Sequence, residues 1–528
     1  MKRRDFLSKS ILAGVSPVLI NGWSVKALAE NPLVQFLNKS GNEDRVFVLI
    51  QLNGGNDGLN TLIPIDQYSN LSNARSNILI QENKVLSLSG NSATGLHPAM
   101  SEMRGMYDNG LLSIVQSVGY PNPDFSHFRA TDIWLTGANS NQSLETGWMG
   151  RYLDTKYPNY PTNYPNSSFP DPPAIQIGAL VSPALQGSST SLGMSITDPT
   201  SFYQFVSGTV DTAPSTPAGH ELTYLRLVAQ QTQAYSGSIK NAATKNSPAN
   251  KSTLYPTAGQ NSLADQLKIV AQLIAGGLKT RVYVVNLGGF DTHSVQVAAT
   301  GGTETGAHAT LLQKISQAVN AFQDDLKQFA LQDRVMGMTF SEFGRRIKSN
   351  SSLGTDHGAA APLFIFGSKV NGGIYGTNPI IPSSVSVNDN VPMQFDFRQI
   401  YATILKNWFE VSDADTNSIL LKQYQTLNFI NANASGITEV KSAEIGFIEN
   451  YPNPASTSTN IRFACSEGHV KITLYDGIGR EILTINEANY SRGTHEVNLD
   501  VSSLQNGNYY YQVQSEDRQM MKTLVVAK

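Results

Sequence analysis

The 528-residue sequence predicts an α/β domain on a mostly parallel sheet with helices on both faces, followed by a small all-β sandwich. Three observations predict this. Apolar runs of strand length alternate with helix-period segments between Val282 and Phe366, as βαβ units require. Several of those runs end at a Gly-rich or polar cluster, where an open α/β sheet gathers its functional groups. From Glu449 onward the pattern changes to short alternating strands separated by turn residues, which reads as a sandwich.

The first thirty residues read as an export signal. Lys2-Arg3-Arg4-Asp5-Phe6-Leu7 has the form of a twin-arginine leader, Ile11 to Ile20 is its short apolar core, and Ala27-Leu28-Ala29 suits cleavage. Residues 1–29 are therefore assigned to a signal read by the twin-arginine translocase, and the core is too short for a permanent membrane span.

The main body is assigned to residues 44–431. Arg45 to Leu52 is a continuous apolar run, as in a strand buried on both faces. Met100 to Tyr107 has helical period, Leu111 to Val118 is the next strand, and a helix follows over His127 to Leu135. Tyr157 to Pro173, crowded with Tyr, Pro and Asn, reads as a loop. Glu221 to Ala234 and Ala264 to Leu278 read as helices, with a polar lid or insertion over Ser236 to Gly259 between them. Strands are expected at Val282–Leu287, Val335–Phe340 and Leu363–Phe366, and helices at Thr310–Phe329 and Phe397–Trp408. Residues 432–448 read as a linker, and the sandwich occupies 449–528 with strands at Thr459–Ala464, Val470–Tyr475, Gly493–Leu499, Gly507–Val513 and Thr523–Val526.

Composition narrows function. A net charge of −3 with 15% charged residues offers no basic footprint for nucleic acid. The single Cys465 excludes intramolecular disulfides and cysteine-based metal sites. No G-x-S-x-G elbow, Walker phosphate loop or H-E-x-x-H helix is present.

The chemistry lies in five clusters. Asp57 follows Asn53-Gly54-Gly55-Asn56, where glycines permit a tight turn; a capping carboxylate would look the same. Ser126 opens a helix, where backbone N–H groups favour an anion, so its hydroxyl is a candidate nucleophile as well as a candidate N-cap. His127 is a candidate ligand, general acid or packed residue, and Arg129 a candidate for orienting an anion. Asp291 and His293, two apart after Gly288-Gly289, face one side of an extended segment and suit a single metal. His308 is the alternative imidazole. Glu342 ends a strand beside Arg345 and Arg346, and Asp356-His357-Gly358 lies in a glycine-bounded loop. Carboxylates gathered in one pocket would repel unless a divalent cation or the arginines neutralised them.

The body resembles the family catalogued as domain of unknown function 1501. The resemblance rests on Gln51-Leu52-Asn53-Gly54-Gly55-Asn56-Asp57-Gly58-Leu59-Asn60, Gly95-Leu96-His97-Pro98-Ala99, Ser126-His127-Phe128 and Asp132-Ile133-Trp134-Leu135-Thr136-Gly137. It continues through Gly289-Phe290-Asp291-Thr292-His293, Phe340-Ser341-Glu342-Phe343-Gly344-Arg345-Arg346 and Gly354-Thr355-Asp356-His357-Gly358. It implies a fold like that of the alkaline phosphatase and sulfatase superfamily, with one or two divalent metals, usually Zn, with Ca or Mn in some branches. By position, Asp57, Ser126 and Glu342 would surround one metal, with Ser126 as nucleophile. Asp291, His293 (or His308) and His357 would hold the other. The superfamily commonly has Asp-His where this chain has Glu342-Phe343, so the first position loses an imidazole. That leaves three outcomes: His127 substitutes, one metal binds, or the site is degenerate. Ser126-His127-Phe128-Arg129 also departs from the C/S-x-P-S-R pattern of formylglycine sulfatases.

The C-terminal segment resembles the type A sorting domain of type IX secretion in Bacteroidetes. It matches in Tyr451-Pro452-Asn453-Pro454, Tyr475-Asp476-Gly477-Ile478-Gly479-Arg480, Asn506-Gly507-Asn508-Tyr509-Tyr510 and Lys522. This implies passage through the periplasm and across the outer membrane by the type IX machinery, to the cell surface or medium. The expected function is an exported metal-dependent hydrolase of phosphate or sulfate esters, acting on a small anionic ester or glycan. The alternative is a non-catalytic surface binding protein with a residual metal.

Overall fold

The computed structural model describes residues 44–199, 214–431, 445–465, 468–476, 480–491, 493–515 and 519–528. The expected signal at 1–29, residues 432–444 of the expected linker and the Gly477-Ile478-Gly479 turn lie outside the described residues. Two compact units divide at Ala432 and Asn433.

The first unit is built on one large sheet. Its strands are β1 (Val46–Asn53), β2 (Leu112–Gly119), β3 (Ala174–Ile177), β4 (Gly193–Ile196), β5 (Val282–Gly288) and β6 (Val335–Phe340). A short hairpin of β7 (Arg345–Ser349) and β8 (Thr355–His357) stands apart from it. The sheet resumes with β9 (Ala361–Phe366), β10 (Gly373–Tyr375) and β11 (Phe395–Asp396). Its order is β10-β2-β9-β6-β1-β5-β3-β4, with β11 also on β2. β1 lies centrally, parallel to both β5 and β6, and its first five residues are buried, which is why it reads as an unbroken apolar run. Every pairing in this sheet is parallel except those of β9, which runs antiparallel to β2 and β6.

The principal helices around this sheet are α1 (Ser101–Asp108), α2 (His127–Thr136), α3 (Trp148–Lys156), α4 (Pro217–Thr244), α5 (Ser262–Ala275), α6 (Ala307–Gln328) and α7 (Phe397–Thr403). In α6 the buried Leu311, Leu312, Ile315, Val319, Phe322 and Leu326 repeat at intervals of three or four. α5 starts where the Asn261 side chain accepts from Ala264 N–H, and α7 where Asp396 and Gln399 form a capping box. α7 runs into a π-helical turn over Ile404–Trp408, so the expected single helix is two elements. Trp408 closes the base of the unit, its indole N–H donating to Val46 O at 3.2 Å. Among the described residues no helix is long and apolar enough to cross a membrane.

Ser236 to Thr244, expected in a polar lid, continues α4 instead, because Ile239, Ala242 and Ala243 are buried in the core. β3, β4 and the hairpin were not anticipated, being short or interrupted by polar residues.

The second unit has two sheets, Ile445–Tyr451 with Ser458–Cys465 and Gly493–Asp500, and Glu481–Tyr490 with Gly468–Tyr475, Gly507–Gln514 and Gln519–Val526. Ile461, Phe463, Ile472, Leu474, Tyr511, Val513 and Leu524 form its core, as alternation predicts. The strands at Ile445 and Glu481 are additions to the expected five.

Candidate metal centre

β1, β2, β5 and β6 end, and β9 begins, at one edge of the sheet. Asn53 is level with Gly288, Gln51 with Phe340, and Val118 with Ala361. The loops therefore converge. Gly54 has φ +123°, and a Cβ there would overlap Asp291 N, so only glycine lets the two loops touch. The buried Arg345 guanidinium ties the loops together. It donates to Gly55 O and Thr355 O at 2.7 Å, to Phe290 O at 3.1 Å, to Gly54 O, and to Asp291 Oδ1 at 2.7 Å. Burial opposes the charge on Asp291, but the Arg345 and His357 bonds outweigh it and lower its pKa to about 2.

Three imidazoles surround Asp291, and each has its Nδ1 on an acceptor. His127 Nδ1 lies 2.8 Å from Glu342 Oε1, His293 Nδ1 3.1 Å from Asp356 Oδ1, and His357 Nδ1 2.8 Å from Phe125 O. With Nδ1 on an acceptor, each ring presents its Nε2 to the same carboxylate, where a bound cation would replace the proton that His357 Nε2 gives Asp291. The separations are 3.1 Å from His357 and 3.2 Å from His293 to Asp291 Oδ1, and 3.4 Å from His127 to Oδ2. His293 and His357 bring their Nε2 atoms within 2.8 Å, close enough that a proton or a cation must be shared between them. The ligand atoms of His127, Asp291 and His357 all lie within 4.8 Å of one another, and His293 adjoins this trio. Phe343 packs against the His127 and His357 rings at centroid distances of 4.9 and 4.5 Å. The cluster is open: the Asp291 and His293 side chains are 48% and 44% exposed.

Residues 44–420 match the family described as protein of unknown function, DUF1501. The chain belongs to that family. Residues 449–527 match the secretion system C-terminal sorting domain, which indicates a secreted or cell-surface protein. No curated protein matches the chain. Solved structures similar to it include a Bacteroides thetaiotaomicron protein from work on the metabolism of multiple glycosaminoglycans, at 11% identity and TM-score 0.31 over 87% of this chain and 90% of that one. A Pseudoalteromonas sulfatase is similar at 9% identity and TM-score 0.33, covering 89% and 86%. A Vibrio parahaemolyticus protein of the alkaline phosphatase superfamily is similar at 8% and 0.30, covering 83% and 81%.

Of the residues expected at the site, this DUF1501 member brings His127, Asp291, His293, Glu342 and His357 together. Glu342 is buried and lies 2.8 Å from both His127 Nδ1 and Gly54 N, so it orients the His127 ring rather than standing among the Nε2 atoms. Asp57 does not join them. Its fully buried carboxylate receives Arg75 Nη1 at 2.9 Å on both oxygens and Gln296 Nε2 at 2.6 Å. Burial opposes its charge, but Arg75 and His308 hold its pKa below the usual carboxylate range. His308 is buried too, 2.9 Å from Asn56 Oδ1, and burial lowers its pKa to about 4, so His293 and not His308 is the imidazole beside Asp291. Arg129 is committed to Asp132 and the carbonyls of Asn139, Ser140 and Gln142, a clamp on the following loop rather than an anion contact. Ser126 is exposed and its side chain caps nothing, which sets aside the N-cap reading. The roles of Arg75, Gln296 and the Phe125 carbonyl have no local sequence signature.

Proposed function

We propose that this protein is an exported, metal-dependent hydrolase of phosphate or sulfate esters. The observation that carries the reading is the set of three histidines with Nδ1 engaged and Nε2 turned onto one ionised carboxylate. Nitrogen-rich donors of this kind suit Zn better than Ca, which prefers oxygen, with Mn between them. A divalent cation bound there would polarise an ester oxygen and favour ionisation of an adjacent hydroxyl.

The chain's own residues would do the rest. Ser126 lies between Phe125, whose carbonyl holds His357, and His127, so a hydroxyl free of capping duty sits in a segment anchored to the cluster on both sides. It is the proposed nucleophile. The N–H groups opening the ten-residue α2 have no side-chain cap and favour the anionic oxygens of an ester. Arg345 keeps Asp291 ionised and aimed. The open cluster leaves room for an ester on a larger glycan. The leader at 1–29 would direct folded protein through the twin-arginine translocase, and residues 449–528 would engage the type IX machinery of a Bacteroidetes cell.

One observation favours a second reading, a non-catalytic binding protein with a single cation. Asp57 is consumed by Arg75, so donors for a second metal are not assembled around it. The test is metal analysis of the purified chain with a screen of aryl phosphate monoesters, diesters and sulfates, alongside Ser126→Ala and His357→Ala. Hydrolysis is expected, lost in both variants, with metal lost only from His357→Ala. Bound metal without turnover of any ester would support the second reading. A protein that takes up no divalent metal would sink both.

A further inference from the structure

Beneath the cluster runs a buried polar chain with no counterpart in the sequence expectations. Gln296 is fully buried. Its Oε1 accepts from Thr292 Oγ1 at 3.1 Å and from Thr355 Oγ1 at 2.8 Å, and its Nε2 donates to Asp57 Oδ2 at 2.6 Å. Thr292 stands between Asp291 and His293, and Thr355 two residues before His357. One amide therefore grips both segments that bring donors to the cation. Asp57 is fixed in turn by Arg75, which also donates to Ile347 O at 2.9 Å and Arg346 O at 2.7 Å in β7.

The chemistry at this position is demanding. The group must accept from two hydroxyls and donate to a carboxylate while fully buried. A glutamine amide offers both functions on one planar head. A glutamate has no proton for Asp57 and would repel it.

We propose that Gln296, anchored by the Asp57–Arg75 pair, is a positioning residue that fixes the spacing between the Asp291–His293 segment and His357. It sets the cation's coordination geometry without touching the cation. The proposal rests on the reading of the cluster as a cation site. Backbone contacts also join these segments, Thr355 N donating to Thr292 O at 3.2 Å and Gln296 N to Leu353 O at 2.8 Å. The side-chain chain adds control over the threonine-bearing segments on which the ligands sit.

The experiment is a Co2+ titration of the full chain followed by visible absorption, with thermal unfolding of the chelated protein in parallel. Gln296→Leu keeps the Asp57–Arg75 pair while removing the grip on both threonines. Its Co2+ affinity should fall roughly 10- to 100-fold, as for other residues that orient metal ligands, with an altered visible band. Thr355→Val should move affinity the same way by less, and the double variant should be no weaker than Gln296→Leu. A folded Gln296→Leu with wild-type affinity and spectrum overturns the proposal. If Gln296→Leu does not fold, Thr355→Val decides, and unchanged affinity there overturns it. Failure of the wild type to bind Co2+, or equal binding by His357→Ala, would instead overturn the cation reading beneath it.

Discussion

Acidification should unfold the main unit through two histidines that the structure keeps away from solvent. His97 and His308 lie edge to face at 6.2 Å. Burial, joined in His97 by the neighbouring His308, lowers their pKa values from 6.5 to about 3 and about 4. A depressed folded-state pKa means that the unfolded chain takes up the proton first. Stability is therefore fully present above pH 6.5 and is lost as pH falls from 6.5 towards about 4 for His308 and about 3 for His97. The slope is about 1.4 kcal/mol per pH unit for each histidine, or about 5 kcal/mol for the pair between pH 6.5 and 4.5. The assay is urea denaturation at half-unit pH steps in chelator, followed by tryptophan fluorescence. Trp134, Trp148 and Trp408 all lie in the core of the main unit, and the sandwich has no tryptophan. His97→Asn, which keeps an acceptor for the Ala99 N–H, should roughly halve the slope; His308→Gln, which keeps a donor for Asn56, should do the same. A flat profile, stability that rises on acidification, or an undiminished slope in both variants would refute the reasoning. If His308 were a metal ligand, the effect of His308→Gln would vanish in chelator; it should persist.

Arg75→Met should destabilise the main unit by about 3–5 kcal/mol in chemical denaturation, because it leaves the buried Asp57 carboxylate uncompensated. Gly54→Ala should abolish Co2+ binding, since its Cβ has no space beside Asp291 N and its φ of +123° is strained for alanine; titration of a variant with native circular dichroism checks this. Arg129→Ala should leave metal content unchanged while exposing the 139–142 loop to faster proteolysis, because the arginine holds that loop's carbonyls.

The edge of the sheet was legible because the apolar strands stop at polar, glycine-rich clusters. Asp291 and His293 were legible because their spacing puts both on one side. What local pattern leaves open is direction and depth. Asp57 follows two glycines as a ligand might, yet it turns inward to an arginine eighteen positions on. His308 and His293 are equally polar on paper, but the first turn of α6 buries one and the Gly289 loop exposes the other. Arg129 lost its expected role to Asp132, one helical turn away. β9 reads as a strand whichever way it runs, since alternation and apolarity carry no polarity of direction. Helix α4 hid its last turns because only Ile239, Ala242 and Ala243 touch the core among polar neighbours.

The reversed direction of β9 has a consequence for how such a centre can vary. A parallel strand that has reached the ligand-bearing rim must travel back under the sheet before it can contribute again. Here the chain leaves β6 at Phe340, wanders twenty residues and re-enters β9 at Ala361 without ever departing that rim. Glu342, Arg345 and His357 thus belong to one continuous excursion. Its tip at Asn350 to Gly354 is tied to the opposite loop, since Ser352 O and Leu353 O accept from Val295 N and Gln296 N and Asn350 Nδ2 donates to His293 O. Residues added there would therefore shift the Asp291–His293 segment along with the mouth of the centre.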